Sequence, residues 1–96
     1  MKAISFNKAI EALGYTIEKK SKGYNFRTTF ATDKDGQLWY FHIEDLRDTH
    51  PMVFRRTAKD LKDYTGGMNR FDVEDQLEDL GYKIVEKRQK CDYNSL

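Results

Sequence analysis

The chain has 96 residues, 34% of them charged and 39% hydrophobic, with six Phe, six Tyr and one Trp. That length sets one core of adequate size, and the formal charge of +1 predicts, by itself, neither a nucleic-acid protein nor an acidic mimic. Cys91 is the single cysteine, which excludes an intramolecular disulfide and a cysteine-rich metal site and points to the reducing cytoplasm. No apolar run reaches the roughly 18 residues that span a bilayer, and Met1-Lys2-Ala3-Ile4 leads into no signal-peptide core, so an unsecreted, soluble protein is expected.

Ser5 stands before Phe6, Ile10 and Leu13, which recur at helical spacing, and Gly14 follows at once. An N-cap, one buried stripe and a C′ glycine predict a short helix from Phe6 to Leu13. Tyr15-Thr16-Ile17-Glu18-Lys19 alternates as a strand with one apolar side, and Ser21-Lys22-Gly23 supplies a turn.

Next comes the stretch from Tyr24 to Ile43, in which two runs of aromatic and β-branched residues flank Asp33-Lys34-Asp35-Gly36. That pattern predicts a β-hairpin, and with the preceding strand a three-stranded meander. Counting by twos puts Tyr24, Phe26, Thr28 and Phe30 on one face of the first strand, and Trp39, Phe41 and Ile43 on one face of the second. Phe26, Phe30, Trp39 and Phe41 are the expected core of the hairpin.

After Ile43 the chain turns acidic through Glu44-Asp45-Leu46-Arg47-Asp48 and reaches its one proline in Thr49-His50-Pro51, a loop. Met52 to Arg56 has the residues of a fourth strand. Thr57 with Asp60 resembles a capping box, which predicts a helix from Ala58 to Tyr64 ended by Gly66-Gly67. A shift of 67 positions lays Ser5 on Asp72, Phe6 on Val73, Ile10 on Leu77 and Leu13-Gly14-Tyr15 on Leu80-Gly81-Tyr82. Duplication and the common grammar of a capped helix feeding a strand both account for this. Either way the second unit predicts a helix with Val73, Leu77 and Leu80 inward, and then a strand. Lys87 to Leu96 is polar.

The expected architecture is α+β: one domain over 1–90 with a polar tail over 91–96, an antiparallel sheet of four or five strands, and two or three short helices mainly on one face. The element order resembles small α+β modules such as double-stranded-RNA-binding domains and HicA-type toxins. A HicA-like pattern has a histidine shortly after the turn at Gly23; here Tyr24-Asn25-Phe26 stands there, so no activity or residue carries over.

Three clusters evoke ligands. Asp33, Asp35 and Gly36 suggest a calcium loop whose remaining ligands are missing, so a hairpin turn is the better reading. His42, Glu44, Asp45, Asp48 and His50 are metal-ligand types within nine residues, read here as sheet and loop residues. Thr65-Gly66-Gly67 lies near Lys59, Lys62 and Arg70 but matches no phosphate-loop spacing. No catalytic set, cofactor or metal is therefore expected.

Charge segregation is what remains. Lys19, Lys20, Lys22, Arg27, Arg55, Arg56, Lys59 and Lys62 gather positive charge, while Glu74, Asp75, Glu78 and Asp79 form an acidic ridge on the second helix. The leading expectation is a small non-catalytic binding module that takes nucleic acid through Arg27, Tyr40, Arg55, Arg56, Lys59 and Lys62. The alternative is a protein-interaction module, an inhibitor or adaptor of the phage-type accessory kind, which docks Glu74, Asp75, Glu78 and Asp79 on a basic protein surface. Neither reading involves a membrane.

Overall fold

A computed structural model describes residues 2–44, 52–65, 67, 69–70 and 73–86. Among the described residues the elements in order are β1 (Lys2–Ile4), α1 (Phe6–Ala12), β2 (Thr16–Lys22), β3 (Phe26–Thr32), β4 (Leu38–Glu44), β5 (Met52–Thr57), β6 (Asn69–Arg70), α2 (Val73–Asp79) and β7 (Tyr82–Ile84). The fold is α+β. An antiparallel meander of β2, β3, β4 and β5 is extended beside β5 by the two-residue β6, while β1 and β7 pair in parallel as a separate small sheet.

The first helix forms as its sequence predicts. Ser5 caps it in an extended conformation, accepting from the Lys8 amide through its side chain, and Phe6, Ala9 and Ile10 fall on one buried stripe. Beyond the Leu13 cap, Gly14 has φ +99; its N–H donates to Glu11 O at 3.0 Å and that of Tyr15 to Ile10 O at 3.3 Å. This pair of bonds is the Schellman ending, which satisfies two carbonyls the helix leaves open. Gly81 after α2 shares the positive φ, at +86, and the first of these bonds, at 2.9 Å to Glu78 O. Asp72, the expected second N-cap, and the tail from Lys87 lie outside the described residues.

The hairpin sits at the centre, and its register decides what each face carries. Phe30 lies opposite Tyr40, Thr29 opposite Phe41 and Ala31 opposite Trp39, and directly opposed residues share a face. Phe41, Ile43 and Ala31 therefore point one way, packing with Val53 against Phe6, Ala9, Ile10, Val73, Leu77 and Ile84 in the helix-side core. Phe30 and Tyr40 point the other way, into a smaller cluster with Ala58 and Leu38. The aromatic residues of the hairpin are thus split between two cores. Phe26 is not core: it is 41% exposed, and Trp39 is half-buried against the helix side.

Two expected elements change form. Residues 58–64 make turns instead of a helix. Thr57 stays in β5 opposite Trp39 and the Ala58 amide donates to Leu38 O at 2.9 Å, so strand pairing continues to the residue at which the sequence predicts the helix to start. Asp60 and Asp63 instead accept from the Lys62 and Lys59 amides at 2.8 and 2.9 Å, local bonds that compete with the helical ladder. This segment covers the Phe30 end of the face away from the helices, with the Tyr64 ring 5.3 Å from that of Phe30. The two halves of the repeat also part ways. Both helices lay their stripes on the same core, yet β2 after α1 joins the large sheet while β7 after α2 pairs with β1.

Candidate nucleic-acid interface

The expected basic residues do not come together. Arg27 lies opposite Ile43 and Arg55 opposite Phe41, on the helix side, whereas Arg56 lies opposite Tyr40 on the other side. Arg27 is 9% exposed. Its Nη1 donates to Gly23 O and Phe26 O at 2.9 and 2.8 Å, and its Nε meets Glu86 Oε1 at 3.1 Å. Glu86 Oε2 in turn accepts from the Phe6 amide at 3.0 Å. The arginine therefore ties a turn, the start of α1 and the segment after β7 into one contact.

Arg55 stacks over the Trp39 ring at 4.0 Å and hydrogen-bonds the Tyr15 hydroxyl. Arg56, 8% exposed, lies 4.6 Å from the Tyr40 ring centroid, donates through Nη2 to Asp63 O at 2.6 Å and pairs with Asp63 Oδ2 at 3.4 Å. Buried, paired and hydrogen-bonded, Arg27 and Arg56 hold the fold, where loss of a partner would strand a charge. Tyr40 is buried beside Arg56, and burial pushes its hydroxyl up more than the guanidinium draws it down. Lys59 and Lys62 are exposed.

The acidic set is more nearly as expected. Val73 and Leu77 are buried, Asp75, Glu78 and Asp79 are exposed, and Glu74 is half-buried. Leu80 departs from expectation: it is 54% exposed, because the chain has left the helix at that point to reach Gly81.

The ligand-like clusters resolve as structure. Asp33 Oδ1 accepts from the Asp35 and Gln37 amides and Oδ2 from the Trp39 indole, so the carboxylate is spent on the turn. His42 and Glu44 meet at 3.2 Å on β4; Asp45, Asp48, His50 and Gly66 lie outside the described residues. Among the described residues no three His, Cys, Asp or Glu gather as metal ligands.

The feature missed by counting along single strands is the face turned away from the helices. Across it the rings of Phe26, His42, Tyr40 and Tyr64 follow one another, at 6.1 Å from Phe26 to His42, 6.4 Å from His42 to Tyr40 and 5.8 Å from Tyr40 to Tyr64. Met52 and Phe54 share that face through their register with Glu44 and His42. At one side Lys19 reaches from β2 to donate to Leu61 O at 3.2 Å, its Nζ 5.5 Å from the Tyr64 centroid. The hairpin's turn length held this information, since it sets Phe30 opposite Tyr40. Comparison with known families, curated proteins and solved structures finds no match.

Proposed function

We propose that this protein is a small non-catalytic binding module for nucleic acid. The observation that carries the reading is a group of exposed lysines on β2 and the covering segment, beside the paired Arg56. Lys19 on β2 and Lys59 and Lys62 on the covering segment are exposed, and the Lys19 bond to Leu61 O joins β2 to that segment; Lys20 and Lys22, also exposed, stand opposite Thr29 and Arg27 on the helix side. Lysines beside exposed aromatics, as Lys19 is beside Tyr64, neutralise phosphate and release its counterions. The polar side chains nearest them serve shape: the Ser21 and Thr28 hydroxyls bond each other at 2.6 Å, and Asp63 holds the Lys59 amide. A single cysteine fits residence in the reducing cytoplasm.

An electrophoretic shift series with labelled oligonucleotides at rising salt tests the proposal. Affinity should fall steeply with salt, and Lys59→Glu with Lys62→Glu should weaken it. Lysines and not Arg55 or Arg56 are the probes, because the arginines support the fold. Binding that ignores both salt and the lysines would defeat the proposal.

A second reading has its own observation. Asp75, Glu78 and Asp79 are exposed on α2, and no basic residue stands in its last turn, a surface complementary to a basic protein partner. In an inhibitor or adaptor of that kind Asp75→Lys with Glu78→Lys should slow association at low salt, while the lysine substitutions leave it unchanged.

A further inference from the structure

We infer that the sheet face away from the helices is a stacking platform for the unpaired bases of single-stranded nucleic acid, an inference that rests on the nucleic-acid reading above and narrows it. A duplex keeps its base faces against each other, whereas a single strand can splay them onto aromatic rings. The row from Phe26 to Tyr64 has exposed ends and a buried middle: Phe26 is 41% and Tyr64 50% exposed, while Tyr40 is 8%. Phe26 lies nearly parallel to the His42 ring, at 19°, so the two offer one flat edge instead of two independent side chains.

The Phe26 ring is held in place by the backbone beneath it. A Cβ on Gly23 would sit 2.1 Å from Phe26 Cε1, so the ring occupies space that only glycine leaves. Arg27 Nη1 fastens both ends of that contact through Gly23 O and Phe26 O. An exposed aromatic fixed in this way binds with less ordering cost than one that swings freely.

Charge selects the occupant. Lys19 stands beside Tyr64, with exposed Lys59 and Lys62 on the same segment. Of the acids there, Asp63 is paired with Arg56 and Asp60 accepts from the Lys62 amide. At the other end Glu44 shares the face with Phe26 through their register, and its carboxylate repels phosphate. The strand's phosphates therefore meet the protein first on the lysine side, at Tyr64, and its successive bases follow the row of rings toward His42 and Phe26.

Fluorescence anisotropy with the full chain tests this, using short fluorescein-labelled oligothymidylate and oligouridylate against a duplex of equal length. Single strands should bind more tightly than the duplex. Phe26→Ala and Gly23→Ala, the latter displacing the ring, should each weaken single-strand binding by about tenfold while the protein remains folded at the assay temperature by circular dichroism, and Glu44→Gln should strengthen it. Equal affinity for single strand and duplex, insensitive to Phe26→Ala but lost with Lys59→Glu and Lys62→Glu, would overturn the platform and leave the nucleic-acid module standing. Binding to a lysine-rich peptide but to no oligonucleotide would overturn both.

Discussion

The indole Nε1 of Trp39 donates to Asp33 Oδ2 at 2.9 Å, so the carboxylate that closes the hairpin turn also anchors a ring of the helix-side core. This bond first, and then the Gln37 and Asp35 amides, hold the Asp33 carboxyl below its ordinary 3.8 against the opposing effect of desolvation. Asp63 is lowered too, chiefly by the Lys59 amide and further by Arg56. A lowered folded pKa means that the unfolded chain binds more protons in acid. The stability these groups contribute is complete above their unfolded value, about 4, and is lost as pH falls through the lower folded one. Thermal melts by circular dichroism should drop on that acid side. Asp33→Asn should lower the melting temperature at neutral pH and make the acid fall shallower. An acid fall equally steep in the variant would contradict the assignment.

Phe41 and Phe26 belong to the same hairpin and should respond oppositely to truncation. Phe41 is fully buried, with the Tyr15 ring edge-on at 4.9 Å. Phe41→Ala should cost about 3 to 5 kcal/mol in denaturant unfolding, a large share of the stability of so small a fold. Phe30→Ala should cost a similar amount from the opposite face. Phe26→Ala should cost less than about 1 kcal/mol, since that ring is largely outside both cores.

That contrast marks where the sequence was legible. Cap, stripe and glycine located α1, and aromatic runs around Asp33 to Gly36 located the hairpin, because both signals are local. Which face of β3 matches which face of β4 depends on how many residues the turn takes, and Gly36 at φ +88 sets that number. Ladder counting failed again at β2, where the register shifts between Ile17 and Lys19. The extra residue puts Ile17 opposite Ala31 but Lys19 opposite Phe30, so an expected one-sided strand contributes a cation to the other face. Arg27 looked like a surface cation because its partner Glu86 is far along the chain, and no periodicity signals such a pair.

Gly14 and Gly81 give a backbone test. Each sits at positive φ, and a Cβ at either would meet nothing within 4 Å, so any penalty for substitution comes from the backbone conformation alone. Gly14→Val and Gly81→Val should each destabilise by about 1 kcal/mol or more. If denaturant midpoints stayed at the wild-type value, the positive-φ glycine endings would contribute nothing of note.

Arg56 joins the covering segment to the sheet, and Tyr40 beneath it reports whether that cover stays closed. In the native protein burial raises the Tyr40 hydroxyl and Arg56 partly offsets the rise. Removing only the cation from a closed cover would therefore push Tyr40 higher. Arg56→Met also removes the bond to Asp63 O and the ion pair with Asp63, so the segment should loosen, admit water and bring Tyr40 down toward its ordinary value. Asp63→Ala loosens the same segment while keeping the guanidinium over the ring, and it should lower Tyr40 further. Titration of the Tyr40 ring resonances by NMR separates these outcomes, while Trp39 fluorescence checks that the helix-side core is intact. A higher Tyr40 pKa in Arg56→Met, with slow exchange of the Ala58 amide preserved, would show that Ala58 and Tyr64 hold the cover without the arginine.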